Sequence, residues 1–396
     1  MRIGIKGLRA FAFGVLAVMA WSCTLVELQD FRDEEDAWVS PVPLTGRLYT
    51  VGAEWEKGYD WHQDPTPGEV ACSLVVWVDG RIVIRVPAGP GYGVDPGPES
   101  FRLISGKLYT LGTLGKETVV KVNGKELFRY PGRETLVEMA VEGEEVYTLT
   151  NSCSGQGCAL RKNGAVLFED KEGIAYPHME GGEGTYTFTY RHGDDEEQQD
   201  YFCYDGKKAF PADLPPETFY VEDLLLHEDK VAAFLWIKGH DDPVLLDDHR
   251  LNWLKMEEDV YGHITWCRLT CSETGKLAAC GSFGMCTTAF WMDGEHLASY
   301  IGYSAVWGMQ VAGGELLAYQ KVHPLFPKTD SIFWKNKSIS LPAGYTSYGW
   351  KPVCLWQGKV YAALTPERAG QPVIWTEAGS QEIGINGCLF EIGVSD

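Results

Sequence analysis

The sequence predicts an all-β protein: one β-propeller of four-stranded antiparallel blades. Three observations carry that prediction. A short strand motif returns eight times along the chain, at a mean spacing of about 45 residues, which is the period of a propeller blade. A strand ending in Asn-Gly or Asp-Gly recurs inside the repeats. The 396 residues also include 45 Gly, 19 Tyr, 16 Phe and 14 Trp, a mix that favours short strands and tight turns over helices.

The chain opens with a segment that reads as an address rather than as fold. Arg2, Lys6 and Arg9 precede an apolar run from Ala10 to Ala20, interrupted only by Gly14. That run is too short to span a bilayer and suits a signal-peptide core. Ser22 and Cys23 follow, so residues 1–22 resemble a bacterial lipoprotein signal with Cys23 as the lipidated residue. Trp21 and Ala20 depart from the usual box before the cysteine, a looseness also found in Bacteroidetes lipoprotein signals. Simple secretion and an uncleaved anchor are the alternatives. Residues 23–36 carry Glu27, Asp30, Asp33, Glu34, Glu35 and Asp36. Like charges at this density keep a segment solvated and extended, so it reads as an acidic tether, as a surface-export signal or as a plain spacer. The expected location is the outer membrane or cell surface through a lipid anchor, or else the periplasm or medium.

The propeller is expected over residues 37–396. Its first motif is Gly46-Arg47-Leu48-Tyr49-Thr50-Val51-Gly52, and it returns almost unchanged as Gly106-Lys107-Leu108-Tyr109-Thr110-Leu111-Gly112. Further copies begin at Gly143, Gly182, Asp229, Gly275, Gly314 and Gly358. The second motif appears at Asp79-Gly80, Asn123-Gly124, Asn163-Gly164, Asp205-Gly206 and Asp293-Gly294, with decayed copies after Trp334 and Trp375. Such pairs supply the two positive φ angles of a type I′ turn, so each joins two antiparallel strands. In the second repeat the reading is strands over 108–115, 117–122, 125–130 and 134–141, taken as one blade. Eight starts imply eight blades, or seven if the weak unit at 230–275 is fused. The stretch from Ala37 to Leu44 reads as an extra strand that completes the last blade and closes the ring. Helical periodicity is confined to short pieces such as Glu217 to Leu226.

These motifs resemble those of Bacteroidetes secreted and lipoprotein propellers with Tyr-x-x-Gly strands and Trp-x-Asn/Asp-Gly turns. The resemblance covers about residues 40–396 and implies a fold, with members mostly of unknown function. The Gly-His and Trp-Asp pairs of WD40 blades and the Gly-Gly of kelch blades are missing.

With 34 basic against 55 acidic residues the formal charge is −21. A chain this acidic repels phosphate backbones, which excludes nucleic acid as an expected partner. Besides Cys23 there are ten cysteines, an even number compatible with disulfides in an exported chain. Cys153–Cys158 and Cys280–Cys286 are the expected bridges, each across a hairpin connection; the rest read as small buried hydrophobes.

No catalytic motif is present: there is no G-x-S-x-G elbow, H-E-x-x-H, phosphate loop or EF-hand loop. Function in propellers concentrates on loops that break the period. The longest repeat carries Trp55, Tyr59, Trp61, His62 and Asp64, whose aromatics and carboxylates suit carbohydrate; the alternative is a loop folded back onto its blade. Tyr92 lies in a second, Gly- and Pro-rich loop of the same repeat. His240, Asp241 and Asp242, followed by Asp247, Asp248 and His249, form a weak metal or acid–base candidate against a plain exposed turn. Clustered carboxylates at 194–197 give a weak case for Ca²⁺ against a solvated charge run, so no cofactor or metal is expected. Trp307, Tyr348 and Trp350 are candidates for the inner mouth. The expected function is a non-catalytic cell-envelope binding scaffold, a monomer holding a glycan, a peptide or an envelope protein and touching membrane only through its lipid. The alternative is a polysaccharide hydrolase or lyase with acidic and aromatic residues at the mouth.

Overall fold

In the computed structural model the described residues are 37–395, apart from 41–43, 63–69, 90–91, 93, 95, 156, 183, 193–198, 205–206, 210–218, 228–229, 238–243, 248–249, 255–263, 273, 284–285 and 369. They hold 34 strands in eight antiparallel sheets. The only helix among them is a short 3₁₀ turn at Pro98–Ser100.

The second sheet illustrates how sequence sets the pattern. It contains β5 (Phe101–Ile104), β6 (Lys107–Leu114), β7 (Glu117–Val122) and β8 (Lys125–Pro131). Asn123 and Gly124 turn β7 into β8 with φ angles of 47° and 79°, the left-handed pair that a type I′ turn demands. Asn123 does a second job, because its side-chain oxygen accepts the Leu108 N–H at 2.9 Å while its own N–H donates to the Leu108 carbonyl at 2.7 Å. The turn is thereby tied to the start of β6. Asn163 makes the same pair of bonds to Val146, and Asp293 does so to Leu277. The two sequence motifs are therefore the two ends of one local contact.

The strand after each such hairpin belongs elsewhere. β9 (Glu134–Glu142) pairs with β10 (Glu145–Ser152), not with β8, so the repeat read as one blade straddles two sheets. Each sheet instead begins with the strand that precedes the Gly-led motif. These first strands are β9, β13 (Gly173–Gly182), β17 (Phe219–His227), β21 (Ile264–Cys271) and β25 (Tyr303–Ala312), and each packs on the next around the fold. The stretch from Glu217 to Leu226 thus falls mostly within a strand rather than a helix.

Ring closure also differs from expectation. The extra N-terminal strand is β1 (Trp38–Val39), and it pairs with β4 (Arg81–Ala88) on the outer side of the first sheet. Closure comes from the other end: β34 (Gly387–Val394) pairs with β2 (Leu48–Trp55) and supplies the inner strand of that same sheet. The eighth sheet, with β29 (Tyr345–Thr346), β30 (Val353–Trp356) and β31 (Lys359–Pro366), packs on β34. The whole is a β-propeller.

The core lies between neighbouring sheets rather than within any one of them, because a four-stranded meander has two apolar faces and cannot cover either alone. Phe290 of the sixth sheet stacks flat on Phe333 of the seventh, 4.1 Å between centroids and 4° between planes. Tyr147 of the third sheet meets Tyr186 of the fourth at 4.6 Å. Trp77 and Val75 of the first sheet share a cluster with Cys354 and Ile374 of the eighth.

Neither expected disulfide is present: Cys153 is not bridged to Cys158, nor Cys280 to Cys286. Cys280 lies inside β22 (Leu277–Phe283), opposite Phe290, while Cys286 lies outside the hairpin, beyond the Phe283–Thr287 pair. That offset of several rungs is roughly 10 Å or more, too far for a bridge. Cys158 opens β11 (Cys158–Lys162) opposite Asn151 and is buried. Cys153 is exposed, with its N–H fixed to the Arg133 carbonyl at 2.9 Å.

Candidate functional site

The inner strands enclose a cavity of about 1050 Å³ on the axis of the fold. Its wall draws on β5, β9, β13, β21, β25, β34 and the segment between β29 and β30. One backbone device recurs along it. The register between inner and second strand slips at Val137 on β9, Thr265 on β21 and Phe390 on β34. Longer slips occur on β13 and β25. A bulge re-aims the residues beside it and bends the strand, so consecutive residues reach the channel where regular alternation would send every second one away. In the eighth sheet the interruption widens to Ser347–Pro352, between β29 and β30.

That segment carries Tyr348, Trp350 and Lys351, and it is held from beneath by a buried network. Asp330, only 2% exposed, accepts hydrogen bonds from the Tyr319 hydroxyl, from the Thr346 hydroxyl at 2.6 Å and from the Val322 N–H at 2.8 Å. The Lys321 ammonium lies 3.3 Å away. The Tyr319 oxygen in turn accepts the Ser347 N–H at 2.9 Å, which fixes where the segment starts. Burial, and then the Asp330 charge, push the Tyr319 hydroxyl pKa well up, so it stays a donor. Gly349 allows the segment to pass against β34: a Cβ there would lie 1.6 Å from the Phe390 carbonyl oxygen. Lys351 bridges to Glu391 through the backbone, its carbonyl accepting the Ile392 N–H at 2.9 Å.

Three of the four carboxylates of the wall are engaged within the protein. Glu138 pairs with Arg102 at 2.6 Å and accepts the Met139 N–H at 3.0 Å. Burial alone would raise its pKa, but Arg102, the Met139 N–H and the nearby Lys351 charge outweigh burial and hold it below the usual carboxylate value. Arg102 also donates to the carbonyls of Pro98, Phe101 and Val137. Glu134 receives Arg161 at 2.6 Å, the Thr150 hydroxyl at 2.5 Å and the Tyr130 hydroxyl at 3.1 Å. Glu391 accepts the Tyr49 hydroxyl at 2.7 Å.

The candidates from sequence divide into groups. Trp55, Tyr59, Trp61 and His62 come together: Trp55 stacks on Trp61 (5.5 Å, 12°), Tyr59 lies 6.4 Å from Trp55, and the His62 ring lies 3.7 Å from Trp61. Trp55 and Trp61 are buried, and Asn386 clamps the loop by donating to the Glu56 and Tyr59 carbonyls. The loop is folded back onto its sheet. Burial lowers the His62 pKa, and the Asp60 charge only partly restores it. Tyr348 meets Trp61 edge-on at 5.9 Å, which joins this cluster to the segment that carries Trp350. Trp307 stacks on Tyr319 (6.2 Å, 12°) and lies 6.3 Å from Trp350. Trp350 lines the cavity, with the Arg268 guanidinium 5.5 Å from its ring. Tyr348 and Trp350 remain 42% and 40% exposed. The Tyr92 carbonyl accepts the Lys121 ammonium at 2.7 Å, and its ring is not part of the cavity lining. Cys23, Asp64, His240, Asp241, Asp242 and the carboxylates at 194–197 lie outside the described residues.

Sequence reasoning missed Arg102, Glu138, Arg268, Lys351 and Glu391. A signal for most of them existed: a charge flanked by apolar residues in a strand, as in Phe101-Arg102-Leu103, Val137-Glu138-Met139, Cys267-Arg268-Leu269 and Phe390-Glu391-Ile392. All six strand neighbours in the first, second and last triplets are apolar and five of them are buried, so the charge between them needs a purpose.

No protein-family model and no curated protein sequence matches the chain. Among solved structures it is similar to apo AztD from Citrobacter koseri, at 11% identity over 87% of this chain and 97% of that one, with a TM-score of 0.51. It is also similar to Sqt1 from Saccharomyces cerevisiae, at 12% identity over 90% and 94%, TM-score 0.42. A third is the β-propeller domain of the Trilobed protease from Pyrococcus furiosus, at 10% identity over 77% and 95%, TM-score 0.42. At such identities the likeness concerns the fold alone.

Proposed function

We propose that the protein is an exported, lipid-anchored envelope protein whose propeller, one blade per sheet, is a non-catalytic scaffold that holds its ligand at the mouth of the axial channel. The observation that carries the reading is the pairing of a ligand-sized cavity of about 1050 Å³ with a half-exposed Trp350 in its lining. Cavities on this scale with a few convergent polar groups are where ligands bind. The state of the carboxylates supports binding over hydrolysis. A glycosidase acid needs a raised pKa, whereas Glu138 is held low by Arg102 and Glu134 is locked to Arg161. The export part rests on the signal-like residues 1–22 and on Cys23.

Screening the mature protein on glycan and peptide arrays tests the first part, with Trp350→Ala as the paired variant. Ligand capture that Trp350→Ala abolishes is the expected result; capture indifferent to Trp350 places the working surface elsewhere and refutes the reading. For the anchor, metabolic labelling with an alkyne fatty acid is expected to tag the wild-type chain and not Cys23→Ala. Equal labelling of both refutes it.

A further inference from the structure

The cavity wall has four acidic and four basic side chains, Glu99, Glu134, Glu138 and Glu391 against Arg102, Arg133, Arg268 and Lys351, yet the two signs are not equally available. Glu134 and Glu138 are each consumed by an arginine, and Glu391 is hydrogen-bonded to Tyr49. Arg102 is spent on Glu138 and three carbonyls. Lys351 and Arg133 are exposed and make no ion pair among the described residues. Lys351 directly follows Trp350, whose ring also has the Arg268 guanidinium beside it. Glu99 is the one exposed carboxylate of the wall.

We propose, resting on the channel-mouth reading above, that the ligand is an acidic saccharide: a sugar ring stacks its C–H face on Trp350, and its uronate carboxylate is received by Lys351, with Arg133, also on the wall, for a second one. The chemistry on the wall selects this class. An indole face half open to solvent offers an apolar platform for a pyranose ring. A carboxylate finds an ammonium whose hydrogen-bonding capacity is not otherwise used. A cationic ligand finds Glu99 at the exposed edge but three carboxylates that already have partners, and displacing Arg102 or Arg161 would leave a guanidinium stranded. The acidity of the whole molecule does not oppose this, because charges beyond a Debye length of about 8 Å at physiological salt are largely screened. The lysine on the wall therefore governs what an anion meets there, and the outer carboxylates do not.

The test is calorimetric titration of the mature protein with oligogalacturonate, and in parallel with a neutral oligosaccharide such as cellopentaose. The variants are Trp350→Ala, Lys351→Glu, Arg133→Glu and, as an exposed control off the wall, Lys359→Glu. All four side chains are at least partly exposed, and thermal melts verify that each variant folds. Expected are saturable oligogalacturonate binding that weakens as salt rises, a loss of at least about tenfold in Lys351→Glu, a loss in Trp350→Ala, and no change in Lys359→Glu. Cellopentaose bound as tightly as oligogalacturonate, lost in Trp350→Ala and indifferent to Lys351→Glu, overturns the acidic class and leaves the channel-mouth reading standing. Binding that none of the wall variants alters overturns both. Absence of oligogalacturonate binding overturns the acidic class alone.

Discussion

Replacing Asp330 with Ala removes an acceptor that serves two buried donors, one part-buried donor and one ammonium. The Tyr319 hydroxyl, the Thr346 hydroxyl and the Val322 N–H lose their partner, and Lys321 loses its counter-charge. Stranding a buried donor costs about 1–3 kcal/mol, and removing one side of a buried charged pair about 3–5 kcal/mol. These overlap rather than add, and Lys321 is partly solvated, so about 3–5 kcal/mol is the whole expectation. The unit from Ala37 to Asp396 has an unfolding entropy of about 0.75 kcal/mol/K, at about 2.1 cal/mol/K for each of roughly 360 residues. Division gives a fall in Tm of about 4–7 °C. Asp330→Asn keeps one acceptor oxygen and is expected to lose about half as much. Differential scanning calorimetry reads the shift, and tryptophan fluorescence reads whether Trp307 and Trp350 remain in place. A Tm within about 1 °C of wild type in Asp330→Ala would refute the claim that this network holds the channel-mouth segment.

Gly349→Ala places a methyl carbon against the Phe390 carbonyl, and the two strands must part; a cost of about 1–3 kcal/mol or more is expected, together with loss of any Trp350-dependent binding, and a variant that melts and binds like wild type contradicts the packing. The Glu138 pKa is depressed in the folded protein, so its contribution is present above the unfolded value near 4.5 and is lost as pH falls through the folded one; Glu138→Gln is expected to flatten the acid limb of a Tm-against-pH curve, and an unchanged limb counts against it. The His62 pKa is also lowered, so stability declines as pH drops below about 6.5 because the unfolded chain takes the proton first; His62→Gln is expected to weaken that slope, measured by tryptophan fluorescence between neutral and mildly acidic pH. Burial pushes the Cys354 thiol up to about 12 and raises Cys280 and Cys388 as well; iodoacetamide is expected to modify exposed Cys153 first in the native protein, and a non-reducing peptide map showing a Cys153–Cys158 or Cys280–Cys286 bridge would overturn the assignment of thiols.

How much of this is legible in the sequence depends on the range of the interaction. Asn123, Asn163 and Asp293 announce themselves because a type I′ turn is a contact between neighbours, and the bond each makes to the strand start lies within one repeat. The grouping of strands is not local. Nothing within Glu134–Glu142 says whether it pairs backward with β8 or forward with β10; that is decided by which apolar faces meet across sheets. The identity of the closing strand is hidden for the same reason, since Ala37 to Leu44 and Gly387–Val394 are both apolar enough to fill an edge. The aromatic cluster at Trp55, Tyr59 and Trp61 was visible as a cluster, but whether it faces outward or inward depends on Asn386, some 330 residues away. The channel charges are hidden by the bulges, which break the alternation by which a strand's two faces are told apart.

Closure by β34 means that strands 342 positions apart, joined also by the Tyr49 hydroxyl and the Glu391 carboxylate, must meet before the first sheet has its inner edge. Until then that edge is raw backbone, able to accept any passing strand. The ring is therefore closed only when the last strand of the chain is in place. Shortening the chain by that single strand is a different injury from trimming a loop: it takes away the clasp while leaving every bead on the string.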